Sequence, residues 1–215
     1  MAAFILALAA GAASAAQADQ PVALVEDVTG TAPGIEPMDY LSAGHIVRLG
    51  AGSVLVLGYF KSCLRETITG GEVTVGDSQS AVSGGKVVRS KVECDGGRMR
   101  LTREQAGASG VVAFRVPTGP LPAPQVTLYG TAPAFDMPAG PLVVERLDAK
   151  ADDVRIDVSE EDLSRGRLYD FAAHKRALAA GGLYRASRGE RSVVFRIDPT
   201  AKPGRIALIS RMLAL

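Results

Sequence analysis

Short runs of apolar, β-branched residues, separated by glycine and proline, recur along most of this chain. Such runs, bounded by turn residues, predict β-strands. In the first part they are Val22–Val25, Ile46–Leu49, Val54–Leu57, Cys63–Ile68, Glu72–Val75, Lys86–Cys94 and Val111–Val116. In the second they are Val126–Tyr129, Leu142–Leu147, Val154–Val158, Leu183–Ala186, Ser192–Ile197 and Arg205–Met212. The sequence therefore predicts a mostly β protein.

Glycines are expected to form the turns between the early strands. Gly50-Ala51-Gly52 predicts a hairpin connection, and Gly70-Gly71 predicts a turn between two further strands. Within Lys86–Cys94 the residues alternate, so the set beginning at Val87 is expected to face solvent and the set beginning at Val88 to face inward. Cys94 belongs to the inward set, which predicts that it lies on the buried face.

A proline-rich stretch predicts a boundary between two domains. Residues 117–125 contain closely spaced prolines, which favour a stiff, extended linker. We therefore expect a small antiparallel β domain over residues 19–116 and an immunoglobulin-like β-sandwich over residues 126–215. In the sandwich, Tyr184 is expected to be buried with a partner for its hydroxyl, as in a tyrosine corner.

Helix is expected only in short pieces. Thr102 and Gln105 form a capping-box pattern that predicts a helix over Leu101–Ala108. Helical turns are also expected within Glu160–Leu168 and Ala172–Ala179.

The N-terminus predicts export. Residues 1–18 are uncharged and mostly apolar, and they end in Ala16-Gln17-Ala18, which matches a signal peptidase site. A secretory leader normally begins with a basic residue, whereas the first one here is Arg48, so a true start further upstream remains open. A retained anchor is the other alternative, although about fifteen apolar residues fall short of the roughly 20 that span a membrane. We expect a periplasmic or secreted bacterial protein without a transmembrane helix in its mature form.

The two cysteines are expected to form a disulfide. Cys63 and Cys94 would meet an oxidising environment after export. Closing a loop of about 30 residues stabilises a fold by roughly 3.5 kcal/mol in the chain-entropy model. Two buried free thiols are the alternative.

Composition argues against nucleic acid and anionic membranes as partners. The chain has 24 basic and 23 acidic residues, which are well mixed and leave a formal charge of +1. No field of a single sign results, although such a field is what these partners require. Tryptophan is absent and aromatic residues make up 5% of the chain, which leaves few stacking platforms.

No catalytic, cofactor or metal site is predicted. Ser83 and Lys86 fit a Ser-x-x-Lys pattern, but the glycines between them indicate a turn. His45 and His174 could each act as a general base, yet spacing ties neither to a second catalytic group. The acidic clusters at residues 152–153 and 160–162 lack the alternation of a calcium loop, and we expect a solvated charged edge there.

Part of the first domain resembles a known family. Leu41–Gly50 followed by Ser53–Leu57 is similar in its glycine and leucine rhythm to FecR-type periplasmic domains. The resemblance covers Val22–Val75. It implies a small β module that serves interactions rather than catalysis, with no functional residue to transfer. Because no convincing membrane span is found, a direct role in transmembrane signalling is not expected.

Three functional hypotheses follow from these patterns. The leading one is an exported, non-catalytic cell-envelope protein that acts as a structural or protein-interaction module, with an envelope protein or component as its partner. The second is a hydrolase of envelope material that uses His45 or His174 as its base. The third is a small-ligand carrier with a pocket between the domains.

Overall fold

The computed structural model describes residues 20–98 and 121–215, and these residues form strands, turns and short 3₁₀ segments without an α-helix. Nothing in these two ranges is a helix of the length and apolarity needed to cross a membrane. The predicted mostly β fold is confirmed. The expected signal peptide at residues 1–18, the helix Leu101–Ala108, the strand Val111–Val116 and the first part of the linker lie outside the described residues.

Residues 20–98 form one antiparallel sheet of six strands. Its order is β2-β1-β3-β4-β5, and β6 pairs with β4 beside β5. One face of the sheet covers an apolar core that includes Val25, Leu57 and Ile68. The strands are β1 (Pro21–Thr29), β2 (Tyr40–Ser42), β3 (Ile46–Tyr59), β4 (Leu64–Thr74), β5 (Ala81–Ser83) and β6 (Lys86–Lys91).

The expected hairpin and turn in the middle of this sheet are wrong. β3 and β4 are each one long strand, and their pairing shifts register between Leu49 and Val54. Gly52, Gly70 and Gly71 have positive φ angles of 74°, 63° and 83°. Left-handed glycines here allow a bulge, which bends a strand without ending it. Residues 50–53 of β3 oppose only Gly70 of β4, and the ladder resumes on the far side.

The expected inner face of Lys86–Cys94 is also wrong. In the observed register Val87 pairs with Ile68 and Arg89 pairs with Glu66, both of which are fully buried. On this face Val87 is half-buried and the Arg89 side chain reaches the Glu66 carboxylate while staying partly exposed, whereas Val88 on the other face is 69% exposed. The reason is that Glu66 is buried, so the residue of β6 that faces it is its arginine partner.

Residues 121–215 form two further sheets around one core. A five-stranded sheet has the order β10-β9-β12-β13-β7, and a three-stranded sheet has the order β11-β8-β14. The apolar core draws Phe195 from the first sheet and Phe135 and Leu213 from the second, which gives a sandwich-like arrangement. The strands are β7 (Val126–Gly130), β8 (Ala134–Asp136), β9 (Gly140–Arg146), β10 (Val154–Val158), β11 (Leu168–Asp170), β12 (Leu183–Arg188), β13 (Arg191–Lys202) and β14 (Met212–Ala214).

Two features of this half differ from the sequence prediction. The expected strand Arg205–Met212 is a turn that contains the 3₁₀ segment Leu208–Ser210, and only its last residue belongs to β14. Of the expected helical turns, Glu160–Leu168 supplies a 3₁₀ segment at Glu160–Asp162, whereas Ala172–Ala179 forms turns that are not helical.

Tyr184 is buried as predicted and its hydroxyl is satisfied. The hydroxyl donates to the Ala179 carbonyl at 3.2 Å and accepts from the Ala179 amide at 3.0 Å. The partner lies five residues upstream, which is the kind of local backbone contact expected of a tyrosine corner. This bond fixes the turn that leads into β12.

The two halves share a third apolar cluster. The first half contributes Leu24, Met38 and Phe60, and the second contributes Ala134, Leu168, Ile209 and Met212. Leu208–Ser210 lies over β3, where the Ile209 amide donates to the Glu26 carboxylate at 3.3 Å. Buried apolar contacts of this kind hold the halves together, since each buried side chain contributes about 1.5–3 kcal/mol.

A polar cluster borders the shared apolar cluster. Arg167 donates two hydrogen bonds to Asp136, at 2.8 and 2.6 Å. The Tyr40 hydroxyl donates to the same carboxylate at 2.7 Å, and the Arg167 guanidinium lies 5.2 Å from the centre of the Tyr40 ring. The Asp136 hydrogen bond holds the pKa of Arg167 above its usual value. Tyr40 belongs to the first half, so these contacts also fix the relative position of the halves.

Candidate functional site

Cys63 and Cys94 form a disulfide, which confirms the predicted pairing. Cys63 directly precedes β4, and Cys94 follows the end of β6. Both residues are half-buried at the border of the sheet, so the bridge does not line the core. The Sγ atom of Cys94 lies 3.4 Å from the Phe60 carbonyl, beside the cluster that the halves share.

The segment around Cys94 touches the second half of the molecule. Val92 packs against the shared apolar cluster. The Asp95 carboxylate accepts a hydrogen bond from the Thr127 amide of β7 at 2.8 Å. The disulfide therefore anchors a segment that contacts both halves.

A cleft of about 540 Å³ lies between the halves. This volume falls within the roughly 300–1,000 Å³ of small-molecule sites. One wall comes from the segment after β6, and the other comes from β7, β13 and the turn before β14. Its lining residues are Lys91, Val92 and Glu93 from the first half, and Tyr129, Asp198, Thr200, Lys202, Ile206, Ala207 and Ser210 from the second.

Tyr129 lies among negative charges at this cleft. Its pKa is raised above the usual value, first by burial and then by the carboxylates of Asp95, Asp198 and Glu93. The phenol is protonated near neutral pH, so its hydroxyl can donate a hydrogen bond. The wall at Tyr129 therefore combines a donor, an aromatic face and nearby carboxylates.

A second exposed feature is the outer edge of strand β6, Lys86–Lys91, here called the β6 edge. In the described residues β6 pairs with β4 alone, so its other side has no strand partner. Val88 is the most exposed of the large apolar side chains described. Lys86 shares the face of Val88, whereas Arg89 and Lys91 lie on the opposite face, where Arg89 donates to the buried Glu66 carboxylate at 2.6 Å. The β6 edge is therefore cationic, with one apolar side chain near its centre.

The two histidines lie in different halves. His45 is exposed in the turn before β3. His174 stacks on Tyr169 with ring centres 4.4 Å apart, and its Nε2 lies 3.2 Å from the Asp162 carbonyl oxygen. Across the described ranges, neither ring hydrogen-bonds a hydroxyl, thiol or carboxylate side chain.

The remaining sequence candidates have local structural roles. Ser83 ends β5 and Lys86 begins β6, and the glycines between them form a bend that joins two strands on the same edge of β4. Asp153 pairs with Arg155 at 2.6 Å, and Asp162 accepts from the Ser159 hydroxyl at 2.7 Å. In residues 20–98 and 121–215, no three His, Cys, Asp or Glu side chains are grouped to hold a metal ion.

Two buried ionic groups escaped the sequence analysis. Arg211 donates to both oxygens of Asp170, at 2.6 and 3.1 Å, and also to the Ala132 and Ile206 carbonyls. Burial opposes the ionisation of Asp170, but the hydrogen bonds and the charge of Arg211 outweigh it and hold its pKa below the usual value. This pair is enclosed by protein, so loss of either partner would leave the other charge buried and unpaired.

The second buried ionic group includes Glu66 in the first half. Its carboxylate accepts a hydrogen bond from Arg89. The Ser80 amide donates to both carboxylate oxygens, at 3.2 Å and 3.1 Å. The Ser80 hydroxyl lies 2.7 Å from that of Tyr59, and burial raises the pKa of Tyr59 to about 12. Alternation along the strand predicts that Glu66 shares a face with Leu64 and Ile68, but nothing in the sequence shows which partner lets its carboxylate be buried there.

Comparison with known proteins finds no matching family model, no matching curated protein and no matching solved structure. The resemblance to FecR-type domains therefore stays a prediction from residues 22–75. Functional inference depends on the geometry of the cleft, the β6 edge and the disulfide.

Proposed function

We propose that this chain is an exported, non-catalytic protein of the bacterial cell envelope that binds a protein partner through the β6 edge. The observation behind the proposal is an edge strand that is paired on one side and has Val88 69% exposed on it. An extended segment of another protein can add to such an edge through main-chain hydrogen bonds. Exposed side chains along the edge then select the partner.

Charge on the β6 edge favours an acidic partner. Lys86 and Lys91 are exposed, and the strand contains no acidic residue. Cationic edges repel one another, which disfavours pairing between two copies of this chain. A partner strand with Asp or Glu near its apolar residues would complement Lys86 and Val88.

Two observations support export. Residues 1–18 have the composition and the final Ala-x-Ala of a signal peptide. The Cys63–Cys94 disulfide fits an oxidising compartment, where such bonds persist. Fractionation of the source bacterium followed by N-terminal sequencing tests this part. We expect periplasmic or secreted protein that begins after Ala18, whereas cytosolic protein that retains Met1 would contradict export.

Capture from periplasmic extract tests the interaction surface. Wild-type protein should recover a reproducible partner, and Val88→Asp should lose it because the charge opposes both apolar contact and an acidic strand. Ile46→Asp is the matched control, since Ile46 is an exposed apolar residue on β3 at 48% exposure. Equal recovery by both variants would rule out the β6 edge, and a lack of any reproducible partner would count against the interaction role.

A further inference from the structure

The cleft between the halves presents two charged groups that the fold itself does not use. Glu93 lies on one wall and Lys202 on the other, and both are exposed. Across residues 20–98 and 121–215, no hydrogen bond or ion pair engages either side chain. The other two charges are occupied, because Lys91 donates to the Ser62 carbonyl and Asp198 accepts from Thr200 at 2.7 and 2.6 Å.

The rest of the lining is suited to a ligand with both polar and apolar parts. Val92, Ile206 and Ala207 contribute apolar surface. Tyr129 and Ser210 bring hydroxyl groups, which can donate to or accept from amide groups, and the Thr200 hydroxyl, which donates to Asp198, can still accept. Polar and charged side chains make up most of the lining, so the cleft favours a ligand with several hydrogen-bonding groups.

We infer that the cleft binds a short peptide with free termini. Glu93 receives the terminal ammonium and Lys202 receives the terminal carboxylate, while the hydroxyls contact the peptide amides. A peptide is favoured because it carries both charges, several amides and apolar side chains in one molecule. Because Glu93 belongs to the first half and Lys202 to the second, the peptide binds in one direction, with its N-terminus at the first half.

This inference goes beyond the proposed partner binding and does not depend on it. Val88 belongs to the β6 edge and does not line the cleft. Glu93 and Lys202 do line it: Glu93 follows the end of β6, and Lys202 is the last residue of β13 in the second half. Loss of partner capture in Val88→Asp and loss of peptide binding in the cleft variants are therefore separate results.

The test combines blocked ligands with neutral variants. Trialanine, N-acetyl-trialanine and trialanine amide are titrated into ¹⁵N-labelled protein, and the amide shifts of Tyr129 and Ser210 give the Kd. The variants are Glu93→Gln and Lys202→Gln. Glu190→Gln and Lys150→Gln are the controls, because both residues are exposed and lie outside the cleft.

We expect saturable shifts with trialanine and weaker binding when either end of the peptide is blocked. Glu93→Gln should weaken trialanine binding by about twofold to fivefold, the size of one exposed ion pair, and leave N-acetyl-trialanine binding unchanged. Lys202→Gln should do the same for trialanine and leave the trialanine amide unchanged. Unchanged far-UV circular dichroism of each variant shows that it folds.

Three results would overturn the inference. The first is the absence of saturable shifts with trialanine in wild-type protein. The second is equal affinity for free and blocked peptides, since the termini would then contribute nothing. The third is an equal effect of the control variants, which would indicate a general charge effect rather than contacts in the cleft.

Discussion

Alanine at Gly71 and at Gly52 should destabilise the protein by different amounts, although both glycines have similar backbone angles. Their φ angles are 83° and 74°, in the left-handed region that costs a residue with a Cβ atom about 1–2 kcal/mol. The surroundings differ. A Cβ at Gly52 meets no atom within 4 Å, whereas one at Gly71 lies 2.6 Å from the Gly85 nitrogen and 2.7 Å from the Gly84 carbonyl carbon.

The atoms around Gly71 belong to the backbone of the bend between β5 and β6, which both pair with β4. They cannot turn aside as a flexible side chain would, so this bend must move away from β4. Overpacking of this kind costs about 1–3 kcal/mol. We therefore expect Gly52→Ala to lower the free energy of unfolding by about 1–2 kcal/mol and Gly71→Ala to lower it by about 2–5 kcal/mol.

Urea unfolding followed by circular dichroism measures both changes. The slope with urea should stay the same, since neither variant alters the amount of surface exposed on unfolding. The amides of the bend between β5 and β6 should also exchange with solvent faster in Gly71→Ala than in Gly52→Ala. Equal losses of stability in the two variants would refute the argument, because backbone strain alone would then explain both.

Three further predictions concern the buried pair, the disulfide and the contact between the halves. Asp170→Asn should cost about 3–5 kcal/mol at neutral pH, because it leaves Arg211 buried without its partner. Because the pKa of Asp170 is lower in the folded state, its charge contributes fully to stability above the unfolded-state pKa, and this contribution is lost as pH falls through the folded-state pKa. Urea titrations at several pH values should therefore show a smaller stability loss for Asp170→Asn in acid. Serine at both cysteines should lower the free energy of unfolding by about 3.5 kcal/mol in a non-reducing thermal or urea experiment. Gly58→Ala should cost about 1–3 kcal/mol in urea, because its Cβ would lie 2.6 Å from Ile209 Cγ2 of the other half.

Each of these predictions has a control or a contradicting outcome. Asp153→Asn breaks an exposed pair with Arg155 and should cost less than about 1 kcal/mol, so an equal loss in both Asp variants would contradict the role of burial. For the cysteines, reduction of wild-type protein should reproduce the loss seen in the double variant. For Gly58, adding Ile209→Ala should cost less than the sum of the two single changes, and simple additivity would exclude the clash.

The sequence supports the strands that follow a clear pattern, and it fails where pairing depends on distant residues. Val154–Val158 and Leu183–Ala186 are found in β10 and β12, and Cys63 pairs with Cys94 as predicted. β8 and β11 have three residues each, too few to display an alternation. Their partners come from remote parts of the chain, and so do the parallel pairs of β13 with β7 and of β14 with β8.

The glycine-rich bends show the same limitation at close range. Gly50-Ala51-Gly52 has the composition of a hairpin turn, but a bulge needs the same left-handed angles. The bulge is distinguished from a hairpin only by the pairing with β4, which continues on both sides of the left-handed Gly70 and Gly71. The cleft could not be predicted either, because Glu93 and Lys202 are separated by more than a hundred residues.

The apolar cluster shared by the two halves has a practical consequence for experiments with fragments. A fragment that ends at Arg98 would expose Leu24, Met38 and Phe60 as one apolar surface patch. A fragment that begins at Leu121 would expose Ile209 and Met212. Exposed patches of this kind promote aggregation. The halves therefore need to be produced together. If the chain is cut between them, the fold stays intact only while the two pieces remain associated.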